Sequence, residues 1–203
     1  MGKADEVRQN TYAALARGGG SNDVLDAVAE AVDIVVDLCD VEEYDSDRLI
    51  SVENAVNSCL QVIEEKLAAS QDRFHVRATV GPLGLKAGGL LCLAVCAALR
   101  SIGFNAVNLN KTQTALDLLR NSEELGADLV IPLLAREDVE GQLHGLMEQM
   151  ENGGFKAKFE VIPVAPGVLD VAQFQFYIAK NSSEAISRAT EWALKRGSAL
   201  KSR

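Results

Sequence analysis

Cys92 and Cys96 lie four residues apart in the run "GGLLCLAVCAAL" (88–99), a spacing that puts two helical side chains on one face. A pair of thiolates on one face is half of a metal site. The other half is missing from the pattern, because Cys39 and Cys59 each lie alone in apolar helical stretches and no CxxC occurs. The four cysteines are therefore expected to be free, buried thiols that pack as small apolar side chains. Two histidines complete the inventory of strong ligands. His75 opens the strand-like "FHVRATV", and His144 sits mid-helix between Leu143 and Leu146, so both read as structural or surface residues.

The other candidate is the glycine-rich stretch "GPLGLKAGG" (81–89), between a strand pattern and an apolar helix pattern. In α/β proteins a ligand sits just after the strand. Lys86 is the one polar residue there; a glycine-rich strand–helix turn can hold a phosphate, but the stretch is neither GxGxxG nor GxxxxGK[ST], which disfavours a classical nucleotide site. Serine hydrolase chemistry has none either: no Ser sits in an elbow pattern and neither His falls at a ligand-facing strand end. What remains is an apolar platform, or glycines that let a helix pack closely on a sheet.

The elements that must position this loop fall into two textures. Residues 1–70 read as all-helical, with "GGG" at 18–20 as a stop, Ser21, Asn22 or Asp23 as the next cap, and "DVEEYDSD" as a polar connection. From 74 to 203, strands alternate with helices: "FHVRATV", "FNAVNL", "DLVIPLL" and "KFEVIPV", with "FQFYIA" as a fifth strand. Asn181 and Glu184 fit a capping box for a final helix through Trp192. Such alternation means βαβ crossovers, a parallel sheet and helices on both faces. The ligand-facing loops are then 81–89, 108–113, 134–138 and 163–169.

The net charge is −9, with 48% hydrophobic and 24% charged residues. Acidity argues against nucleic-acid and anionic-membrane partners. The N-terminus is polar at once, and the longest apolar run is too short to span a bilayer, so the chain reads as cytoplasmic.

The order of elements resembles the corrinoid (cobalamin-binding) proteins of methyltransferase systems, in which a helical cap precedes a flavodoxin-like domain. "YDSDRLISVENAVNSCL" (44–60) resembles that family's Tyr-Phe-Leu-Pro-Glu-Leu helix start, and "RSIGFNAVNLN" its Gly-Phe-Glu-Val-x-Asp-Leu-Gly. "LGADLVIPLL" is similar to Gly-Ala-Asp-x-Ile-Gly-Leu-Ser, and "YIAKNSSEAI" to Tyr-Ala-Pro-Asp-Ala-x-Glu-Ala. The resemblance implies a helical cap (1–70) on a doubly wound, flavodoxin-like, five-stranded parallel sheet (74–203).

The family's functional motifs are replaced. Its Asp-x-His-x-x-Gly loop, whose His binds cobalt, aligns to Pro82 and Gly84, or to Lys86 and Gly88 from the other side, with an insertion near 84–89. Its Ser after the third strand is Pro132, and its Gly-Gly after the fourth is Pro163-Val164. One change accounts for all three: cobalamin that keeps its own nitrogen base on cobalt, so that its tail no longer enters the domain. The cofactor-binding residues implied are Gly81, Pro82, Leu83, Gly84, Leu85 and Gly88 below the ring. Leu133, Leu134, Ala135, Val164, Ala165 and Pro166 follow on the neighbouring loops, with Tyr44 and Leu49 from the cap and Val52 behind them. No protein metal ligand and no catalytic residue is implied; the chain reads as a methyl-group carrier or a cobalamin-binding module working with partner methyltransferases. Haem, for which Tyr44 would be the ligand, or a cofactor-free regulatory module are the alternatives.

Overall fold

A computed structural model of the chain describes residues 3–40, 46–67, 74–85, 88–111, 114–165, 174 and 176–201. Three helices come first: α1 (Lys3–Ala16), α2 (Ser21–Asp40) and α3 (Ser46–Leu67). Strands and helices then alternate: β1 (Arg77–Leu83), α4 (Gly88–Ser101), β2 (Asn105–Asn108), α5 (Ala115–Glu124) and β3 (Leu129–Leu134). A 3-10 turn (Arg136–Asp138), α6 (Val139–Asn152), β4 (Glu160–Val161) and α7 (Ser182–Lys201) complete the chain.

The helix ends follow local chemistry. Gly18 takes a φ of 91° and ends α1, a conformation that costs a residue with a Cβ more than it costs glycine. The Asp23 carboxylate accepts the N–H of Gly20 at 2.9 Å, which fixes the start of α2. Asn181 Oδ1 accepts the N–H of Glu184 at 2.9 Å, and the Glu184 carboxylate accepts that of Lys180 at 2.8 Å. The helix they open runs past Trp192 to Lys201.

The sheet is parallel, in the order β2-β1-β3-β4. It has four strands among the described residues, where the sequence pattern predicts five. Two prolines explain the shortfall. Even-numbered residues of β4 bond toward β3: the N–H groups of Glu160, Ile162 and Val164 donate to Asp128, Val130 and Pro132. Pro132 has no N–H to return to Ile162, so the ladder breaks after Val161. The expected fifth strand is a single bridge, in which Ala179 N–H donates to Pro163 and Ala165 N–H donates to Ala179, each at 2.8 Å. The rung before it needs an N–H from Pro163, which has none.

Side chains alternate across the sheet. Ala78, Val80, Ala106, Leu129 and Ile131 pack toward α4 and α7, and Leu83, Val130 and Leu134 pack with α5 and α6. The cap joins the first core through Leu25, Val32, Val36, Val56 and Ile63. α4 is thus covered by the sheet on one side and by the cap on the other, which is why its sequence is apolar nearly all round. α3 runs alongside α4 in the same direction. Glu53 reaches the first turn of α4 at Gly89, and Glu64 pairs with Arg100 in the last turn at 2.6 Å. On the other face Thr79 and Ser122 share a buried hydroxyl hydrogen bond of 2.7 Å, and Ser122 donates to the Leu118 carbonyl.

Two glycines are fixed by close approach. A Cβ on Gly88 would lie 2.3 Å from Pro82 Cβ, part of a rigid ring, whereas one on Gly81 would meet the flexible end of Leu118 at 2.5 Å. Gly88→Ala is expected to cost about 2 kcal/mol through overpacking, and Gly81→Ala less than half of that, as read by urea denaturation.

Candidate functional site

Strand order reverses between β1 and β3, since α4 leaves toward one face and α6 toward the other. The crevice outside the carboxyl ends of these strands is where an open α/β sheet takes a ligand. β1 extends through Pro82 to Leu83, so Gly81, Pro82 and Leu83 belong to the strand and the loop starts at Gly84, not at 81 as expected. The missing N–H of Pro82 faces β2, so the β1–β2 ladder stops at the bond from Leu109 N–H to the Val80 carbonyl at 2.8 Å, while β1 continues beside β3 to Leu83.

Gly84 turns the chain with φ of 73° and is exposed. Across the crevice the N–H of Ala135 is shared between the Leu83 carbonyl and Gln142 Oε1, each at 3.1 Å. Gln142 Nε2 lies 3.1 Å from where a Gly84 Cβ would sit. An amide from the first turns of α6 therefore fills the crevice between β1 and β3. Sequence reasoning missed this residue; its only signal was a polar side chain early in the helix that follows β3.

Around this point the edge is closed by apolar packing. Leu83, Leu85, Leu133, Leu134, Ala135, Val164 and Ala165 are all buried, and Pro82 and Gly88 pack against each other. Gly81 faces Leu118 of α5 rather than the loop. Leu49 packs partly buried against the core shared with the cap. Of the expected ligand-facing residues, the structure leaves Gly84 open and brings it beside Ala135. Tyr44, Pro166 and Lys86 lie outside the described residues.

A second residue missed in the sequence is Asn108, which ends β2 opposite Val80, on the face that Ala106 shares with α4. Its Oδ1 is buried and has no hydrogen-bond partner among the described residues. A buried acceptor without a donor is costly, so an unfilled acceptor at a ligand-facing edge marks a place for an N–H donor.

The histidines stand away from this edge. His75 precedes β1 at the opposite end with φ of 51°, and exposed His144 on α6 places its ring 5.2 Å from that of Phe174. Among the described residues no three His, Cys, Asp or Glu side chains converge as a metal site. All four cysteines are buried, and none forms a disulfide among the described residues. Burial pushes the Cys96 thiol up to about 12 and raises that of Cys92 further, with Cys96 itself adding to the effect on Cys92. Burial also raises Cys59, partly offset by the hydroxyl hydrogen bond it receives from Thr11 at 3.3 Å. Among the described residues, no helix is long and apolar enough to cross a membrane.

No family model and no curated protein matches the chain. Solved structures do, and three of them are described as corrinoid or cobalamin proteins. The chain is similar to the monomethylamine corrinoid protein of Methanosarcina barkeri, with TM-score 0.62 and 18% identity over 91% of this chain and 93% of that one. It also matches the methanol:cobalamin methyltransferase complex of the same organism, with TM-score 0.47 and 18% identity over 94% of this chain and 74% of that one. A cobalamin-binding protein from Desulfitobacterium hafniense matches with TM-score 0.48 and 14% identity over 94% and 96%. The first of these shows that the chain shares the overall fold of that protein, an α/β fold with a parallel sheet and many helices, as the resemblance read from the sequence implies.

The raised thiols have a direct consequence. The folded chain keeps protons on Cys92 and Cys96 that an unfolded chain loses above the ordinary value of 9.0. Their contribution to stability is full below that pH and falls as pH rises toward 12. At pH 8, iodoacetamide is expected to leave both thiols unmodified in the folded protein and to modify them in urea, as read by peptide mass spectrometry.

Proposed function

We propose that the chain binds a corrinoid that retains its own nitrogen base on cobalt, and that it serves as a methyl-group carrier for partner methyltransferases. The observation that carries this reading is a ligand-facing edge without imidazole, on a fold shared over nine-tenths of both chains with a corrinoid protein. When bound, the cofactor supplies the chemistry, because cobalt accepts and gives up the methyl group; the protein supplies position and shielding.

The residues present do not fit a corrinoid whose tail enters the sheet. Gln142 fills the crevice the tail would need, and Pro82 and Leu118 fill the space beside Gly88 and Gly81. They fit a ring resting on the edge from outside. Gly84 is exposed and adds no side chain of its own, with the Gln142 amide and Ala135 beside it. The buried Asn108 Oδ1 suits one of the amide N–H groups that a corrin ring carries on its rim. Leu49 in the second turn of α3 would cover the ring from the cap side.

The filled crevice also favours a second reading, a cofactor-free module acting through a protein partner. The two are separated by calorimetric titration with aquocobalamin. Binding is expected, and Gly84→Trp is expected to weaken it by about ten-fold or more. The same substitution is expected to cost roughly 1 kcal/mol of stability, from the positive φ at that position. Absence of heat from the unsubstituted protein, or affinity unchanged by Gly84→Trp, would rule out the corrinoid reading at this edge.

A further inference from the structure

A cleft of about 290 Å³ opens on the flank of β4, at the far end of α6 from the edge described above. It exists because the segment at Phe176 and Tyr177 does not join the sheet: Pro163 cannot donate the rung that would hold Tyr177 to β4. The segment instead stands off the strand, and the gap is floored by Met147, Met150, Phe159, Val161 and Phe176. Met150, Phe159 and Val161 are buried, while Met147 and Phe176 are half-buried.

The rim is charged, and most of its charge is already paired. Lys156 lies 3.9 Å from Glu151. Arg188 pairs with Glu191 at 3.1 Å and stands over the Tyr177 ring at 4.7 Å, and the Tyr177 hydroxyl donates to Glu184. Glu160, exposed at the start of β4, is the rim carboxylate with no ion pair among the described residues. An apolar floor inside a charged rim is the anatomy of a protein–protein contact. Methionines adapt such a floor to the side chain that enters it. The volume falls just below that of sites for drug-sized molecules, which suits one or two side chains.

We propose that this cleft docks a partner protein, taking an apolar side chain of an exposed segment whose neighbouring Lys or Arg pairs with Glu160. The overall charge of −9 favours encounter with such a basic segment. The inference stands apart from corrinoid binding, since it uses other residues at the other end of α6.

Met147 and Met150 are two of only three methionines, the third being Met1, so they are natural reporters. The full chain, labelled with [methyl-13C]methionine, is titrated with N-acetyl-Phe-Arg-amide. Both cleft resonances are expected to shift together and saturate. N-acetyl-Phe-Glu-amide is expected to bind about three- to five-fold more weakly, the scale of one exposed ion pair. Glu160→Lys is expected to abolish or reverse that preference, with the resonances of the free protein otherwise unmoved. The proposal is overturned if neither resonance shifts saturably, if both peptides bind equally, or if the preference survives in Glu160→Lys.

Discussion

The contact between Gly88 and Pro82 sets the depth at which α4 lies on the sheet, and α4 in turn is the layer to which the cap attaches. Its Cα approaches a proline ring so closely that no Cβ fits between them. With the first turn of α4 held there, Leu90, Val95 and Leu99 pack in the core shared with Val80 and Ile131, and the cap residues Val32, Val36, Val56 and Ile63 belong to that same core. Cap and sheet are therefore joined through one helix rather than by a few surface contacts. The same contact places Glu53 of α3 at the beginning of α4, next to the edge where a ligand would sit.

That constraint shapes what the edge can do. The glycines at 81 and 88 serve packing, while Gly84, which turns the chain at positive φ, is exposed. The crevice at the strand-order reversal holds the Gln142 amide. A sheet edge sealed in this way offers a surface rather than a channel. On the proposed reading, the replacements of the resembled family's His, Ser and Gly-Gly are consistent with one another, because each would remove a part of a tail channel.

The sequence made some of this legible and not the rest. α4 and α5 were readable because a run apolar on all sides points to a doubly covered helix, and because Gly103 and Gly126 end these helices by local geometry. The cap of α7 was readable for the same reason: Asn181 and Glu184 act within one turn. The reduction of the fourth and fifth strands is not legible from Pro132 and Pro163 alone. Its cause is a pairing register, which says whether a missing N–H faces a partner or empty space. Pro82 ends the ladder on the β2 side of its strand while the β3 side continues, and Pro132 and Pro163 end theirs toward β4 and the segment at Ala179. Gln142 and Asn108 were missed because their importance lies in what surrounds them, and no periodicity reports that.

The most direct test of the central claim is the visible absorption spectrum of methylcobalamin bound to the protein at neutral pH. A surface without imidazole and without a tail channel predicts a bound spectrum with the cofactor's own nitrogen base still on cobalt. A bound spectrum of the base-off form would contradict the account, because it requires the displaced tail to enter a crevice that Gln142 fills.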